Sequence, residues 1–109
     1  MSTLPPSAAL ALAARLLEAE GFAIVARNER GDSLYLALSK SPWHLRLSNH
    51  ARTAKQRARR NDILTSLIID APRSPDQVHT LVLGALKNFS AALTLREAQA
   101  SASASGSRK

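Results

Sequence analysis

Apolar residues recur along this chain in two rhythms, and the switch from one to the other divides it into elements. In residues 8–20, Leu10, Ala13, Leu16 and Leu17 fall on one side at helical spacing, with Leu12 near the edge, while Arg15, Glu18 and Glu20 take the opposite side. The spacing predicts a helix, with Ser7 after Pro5-Pro6 as its capping residue. Gly21 supplies a left-handed stop, and Phe22 can fold back onto the last turn. From there the period drops to two. Phe22, Ile24 and Ala26 alternate with Ala23, Val25 and Arg27, Leu34, Leu36 and Leu38 with Tyr35 and Ala37, and Trp43, Leu45 and Leu47 with His44, Arg46 and Ser48. The intervening N-E-R-G-D and K-S-P segments are turns, so an antiparallel meander is expected over strands 22–27, 33–39 and 43–48.

Two further elements follow residues 49–62. The run I-L-T-S-L-I-I-D at 63–70 is β-branched, short and apolar on both faces, which predicts a fourth strand covered on both sides or placed at a subunit contact. Ser74-Pro75-Asp76-Gln77 combines a capping serine, proline at the first helical position, an acid in the first turn and glutamine at the capping-box position. Val78, Leu81, Val82, Ala85, Leu86, Phe89, Ala92 and Leu93 then form a helical stripe. A helix over 75–98 would measure roughly 36 Å at its 1.5 Å rise per residue. A strand of six or seven residues covers only about 20 to 23 Å. Fraying past Leu93, or a partner against the overhang, is therefore expected. The order α-β-β-β-β-α implies an α+β fold, a two-layer sandwich with an antiparallel sheet and both helices on one face. Residues 1–6 read as an N-terminal extension, 7–98 as a single α+β domain and 99–109, rich in serine and alanine, as a flexible low-complexity tail.

Charge changes this picture at one place. The formal net charge is +7, from 15 basic and 8 acidic side chains, and it is not evenly spread. Residues 49–60, N-H-A-R-T-A-K-Q-R-A-R-R, carry Arg52, Lys55, Arg57, Arg59 and Arg60 with no acid before Asp62, and Arg108 and Lys109 supply the rest of the excess. Crowded cations destabilise one another, and this connector has no apolar period to explain them, so a polyanionic partner is the simplest cause. Arginine predominates, and its planar fork can grip a phosphate with two parallel bonds or stack on a base. Ala51, Ala54, Lys55, Gln56 and Ala58 favour a helix, so the segment can act as an arm that orders on binding. On the third strand His44, Arg46 and Ser48 share a face leading into Asn49 and His50, and Arg27 and Tyr35 are expected to extend it into a platform. The candidate nucleic-acid-binding residues are thus His44, Arg46, Asn49, His50, Arg52, Lys55, Gln56, Arg57, Arg59 and Arg60.

Other chemistries find less support. Without cysteine there are no disulfides, thiolate metal sites or thiol catalysis, and His44, His50 and His79 are joined by no cluster of carboxylates, so no metal or cofactor is expected. No glycine-rich phosphate loop or nucleophile elbow is present. His50 beside Ser48 and Arg52 lacks a second acid or base, and no catalytic residue is assigned. The Ala/Leu run near the start is broken by Arg15, Glu18 and Glu20 and has no basic leader, which predicts a soluble, cytoplasmic protein with no membrane partner.

The runs A-R-L-L-E-A-E-G-F-A-I-V-A-R, G-D-S-L-Y-L-A-L and W-H-L-R-L-S-N-H, within residues 13–50, resemble the helix, first strand, second strand and histidine-ended third strand of HicA-type toxins. The resemblance implies a fold like the double-stranded-RNA-binding domain and a link to RNA. That family carries its catalytic histidine directly after a G-S pair, whereas here Gly31-Asp32-Ser33 is followed by Leu34. The mismatch argues against ribonuclease activity by that route.

The expectation is a small basic nucleic-acid-binding protein of bacterial or phage type, gripping DNA or RNA phosphates with its arginine-rich arm. A homodimer through the 63–70 strand or the 75–98 helix is the expected assembly. A phage or mobile-element inhibitor or adaptor docking on an acidic protein surface is the alternative, and a HicA-like ribonuclease toxin the second.

Overall fold

The computed structural model describes residues 3–28, 33–50 and 62–106. Helix α1 spans Pro6–Ala19 and is followed by strands β1 (Phe22–Arg27), β2 (Ser33–Leu38), β3 (His44–Ser48) and β4 (Ile63–Ile68), and by helix α2 (Pro75–Gly106). The fold is α+β.

Both helix boundaries follow from local chemistry. Helix α1 starts two residues earlier than Ser7 would place it: Pro5 is the N-cap, without a side-chain cap bond, and Ala9 N–H donates to Pro5 O at 2.9 Å. Pro6 has no N–H to satisfy and its ring presets the helical φ, so proline chemistry displaces the serine cap. The helix closes with Glu20 N–H donating to Leu17 O and Gly21 N–H to Glu18 O, both at 3.0 Å, and Gly21 turns the chain at φ +99°. At α2 the capping box forms as expected. Ser74 N–H donates to Gln77 Oε1 at 2.9 Å, and Gln77 N–H to Ser74 Oγ at 3.2 Å.

The four strands lie in the order β1-β2-β3-β4. β1–β2 and β2–β3 are antiparallel, as the meander predicts, but β3 and β4 run parallel, so the sheet is mixed rather than antiparallel. A parallel neighbour needs a crossover of a dozen or more residues. Residues 49–62 have that length, which a hairpin would not use.

The side facing the helices carries the core. Leu36, Leu45, Leu47 and Ile69 are fully buried there, against Leu17 of α1 and Val78 of α2. Phe22 at the start of β1 meets Phe89 of α2 edge to face, with ring centroids 5.1 Å apart. The two helices touch each other as well as the sheet, α1 over β1 and β3, α2 over β4. Ahead of α1, Leu4 and Arg73 exchange backbone bonds of 2.7 and 3.0 Å, tying the N-terminal extension to the segment before α2.

Helix α2 continues to Gly106, beyond the expected end at Ala98 and into the segment read as a flexible tail. Its 32 residues make a rod of about 48 Å. The long axis of the molecule accordingly measures 60 Å, and the radius of gyration is 15.3 Å, against about 13 Å for a compact chain of this length. Beyond Leu93, Arg96 lies 5.3 Å over the Trp43 ring. The Pro75–Gln99 portion has the length and mean hydropathy, 1.2, of a membrane span, while its Val78, Val82, Ala85 and Phe89 stripe is packed into the core.

Candidate functional site

One irregularity in β1 rearranges the expected platform. Ile24 pairs with Leu36 and Ala26 with Tyr35, leaving Val25 as the extra residue of a β-bulge, 54% exposed. A one-residue bulge moves every later side chain to the other face. Ala26 therefore joins Tyr35 on the side away from the helices. Arg27 now pairs with Leu34 on the helix side, so it does not extend a platform with Tyr35, His44 and Arg46.

The side away from the helices carries a buried polar cluster. Tyr35 stands across from Arg46 and Ser33 across from Ser48 in the β2–β3 ladder. Ser33, Arg46 and Ser48 are each 2% exposed or less. The Ser33 and Ser48 hydroxyls bond at 2.7 Å, and Arg46 Nη2 donates to Ser48 Oγ at 3.2 Å and, more weakly, to Ser33 Oγ at 3.4 Å. Arg46 Nη1 donates to His50 O at 2.9 Å, while its Nε has no hydrogen-bond partner. No carboxylate pairs with this guanidinium among the described residues. Its fork is spent inside the protein, on two hydroxyls and the backbone that leads into the basic stretch. Arg46 thus acts as a clamp on His50 rather than as an open phosphate donor.

Asn49 and His50 continue the network outward. His50 N–H donates to Ser48 Oγ at 3.3 Å, and the exposed ring places Nδ1 2.9 Å from Asn49 Oδ1 and 3.3 Å from Ser48 Oγ. Asn49 Oδ1 can only accept, so a proton on Nδ1 serves that bond and leaves Nε2 as the ring nitrogen for an outside partner.

At the far end of the connector, His44 N–H donates to Asp62 O at 2.9 Å, and His44 Nδ1 lies 3.1 Å from Asp62 Oδ2 without the alignment of a hydrogen bond. His44, half-buried, is therefore engaged by the first acid after the basic run. Both ends of residues 49–62 are held to β3, one by Arg46 and the other by His44. Arg52, Lys55, Gln56, Arg57, Arg59 and Arg60 lie outside the described residues.

Three participants stand outside the expected site: Ser33, the Ser48 hydroxyl and Asp62. Period two already placed Ser33 and Ser48 on the Arg46 face. Their pairing depends on the β2–β3 register, which no local pattern specifies. Among the described residues no group of three or more metal-binding side chains is assembled, and no catalytic pair stands beside His50. No family model, curated protein or solved structure matches the chain.

Proposed function

We propose that this protein binds nucleic acid, holding the phosphate backbone with the arginine-rich stretch 49–60. The observation that carries the proposal is the double anchoring of that stretch. Its first residues are fixed by Arg46 Nη1 on His50 O, and Asp62, two residues beyond its end, is fixed on His44. A run with this charge that served only solubility would need neither clamp. Anchoring lowers the ordering cost that a free basic tail meets on binding, and so favours a defined docking surface. Arg52, Lys55, Arg57, Arg59 and Arg60 supply the phosphate contacts, and the exposed His50 ring precedes them in the chain.

The test is fluorescence anisotropy with labelled oligonucleotides across a salt series. With about five phosphates engaged, the logarithm of affinity falls against the logarithm of salt with a slope near −4.5 for duplex DNA, or about −3.5 for a single strand. Changing Arg57, Arg59 and Arg60 together to alanine should flatten that slope by about 2 to 3. A flat salt dependence, or no binding at low salt, overturns the proposal. Retention of a protein partner through nuclease treatment would instead point to an acidic protein surface.

A further inference from the structure

The β-bulge at Val25 brings Arg27 to the rim of a groove that meets the basic stretch at Asn49. Between α1 and the β1–β2 edge lies an open cleft of about 410 Å3, with Leu10 and Leu34 in its apolar floor and Arg15, Glu18, Arg27 and Asn49 around it. Clefts of roughly 300–1,000 Å3 with an apolar floor and a few polar groups are the usual form of a small-ligand site. Leu10 and Leu34 are buried, whereas Arg15, Glu18 and Arg27 are exposed, and none of these three charges is paired with another described residue. Arg15 and Glu18 sit one turn apart on α1, and only the bulge sets Arg27 opposite them.

We infer that this groove receives one nucleotide of a single strand, its base against the Leu10–Leu34 floor and its phosphate or ring face against Arg15 and Arg27. The inference rests on the nucleic-acid reading above and narrows it to unpaired nucleic acid. Three features favour that occupant. Two guanidinium groups outnumber one carboxylate, which suits a ligand with one negative charge. The floor is apolar, and a base offers a flat face that guanidinium planes also stack on. Asn49 belongs both to this rim and to the start of the basic stretch, so a strand held there passes the groove without a break. A base stacked within a duplex cannot enter. Glu18 adds a preference, because a carboxylate accepts from the exocyclic amino group of cytosine, which uracil lacks.

The experiment compares the full chain binding labelled oligocytidine, oligouridine and a duplex of equal length at one salt concentration. Single strands should bind tighter than duplex by about tenfold, the effect of one well-stacked base. Arg27→Ala should remove most of that advantage while changing duplex affinity by no more than one lost phosphate contact, and Arg15→Ala should act in the same direction. Oligocytidine should exceed oligouridine by about fivefold, a margin that Glu18→Ala abolishes. Circular dichroism of each variant checks that it is folded; these are exposed positions, where substitutions are usually mild. If single strands and duplex bind alike, or if Arg27→Ala leaves their ratio unchanged, the groove assignment is wrong and the phosphate grip stands. If no oligonucleotide binds at low salt, both fall together.

Discussion

Replacing Arg46 by alanine separates anchoring from phosphate contact. The side chain is 2% exposed, and its one well-formed bond is Nη1 to His50 O at 2.9 Å. A bond to a charged donor contributes about 1.5–3 kcal/mol. The bonds to Ser48 and Ser33, at 3.2 and 3.4 Å, add less, and those hydroxyls keep each other at 2.7 Å when the guanidinium is gone. Removing the buried stem methylenes costs about 0.8 kcal/mol each. Against this, a cation is enclosed with no carboxylate paired to it among the described residues and with Nε unpartnered, and its removal recovers several kcal/mol of desolvation. The balance is a destabilisation of about 2 kcal/mol, below the 3–5 kcal/mol of a broken buried ion pair because no partner charge is stranded. Arg46→Met keeps most of the stem and sheds the charge, so it should fall within about 1 kcal/mol of the original protein. Urea unfolding measures both: at a slope of about 1–3 kcal/mol per molar, the alanine variant's midpoint drops by about 1 M. The salt slope of nucleic-acid binding should not change in either variant. A loss under about 0.5 kcal/mol in Arg46→Ala, the level of an ordinary surface change, refutes the clamp. So does a salt slope shallower by about 0.7–0.9, one whole phosphate.

Two further outcomes test the packing. Phe89→Ala, at a position 2% exposed with its ring edge to face against Phe22, should cost about 3–5 kcal/mol in chemical denaturation, and a loss under about 1 kcal/mol would mean that the helix does not close this side of the core. Arg96→Ala should cost about 0.5–1 kcal/mol and alter the emission of Trp43, the single tryptophan; an unchanged spectrum would place the helix away from that ring.

What could be read from the sequence was what neighbouring residues decide among themselves. Gly21 ended α1, Ser74 and Gln77 capped α2, and alternation located β1, β2 and β3, because each signal acts over a few residues. The parallel partner of β3 was out of reach, since a run such as I-L-T-S-L-I-I is equally apolar beside either neighbour direction and only the tertiary crossover decides. Val25 carries no mark of a bulge, and that one residue put Arg27 on the opposite side from its expected place. Arg46 lies on the polar face of β3, as alternation predicts, but is buried there rather than accessible. Period gives the side of a strand but not what surrounds it, and one acceptor of the Arg46 guanidinium, Ser33, lies thirteen residues upstream.

The parallel pairing of β3 with β4 also sets the order in which chain entropy is lost. The two hairpins from β1 to β3 close over short turns, whereas β4 can dock on β3 only after residues 49–62 have been looped back. Closing about fourteen residues instead of about five costs roughly 1 kcal/mol more in loop entropy. This segment also holds five cations and no acid before Asp62, so closing it carries an electrostatic cost that falls as counterions gather around it. Whatever neutralises those arginines therefore also favours the docked state of the last strand. Ligand binding and completion of the sheet draw on the same charges.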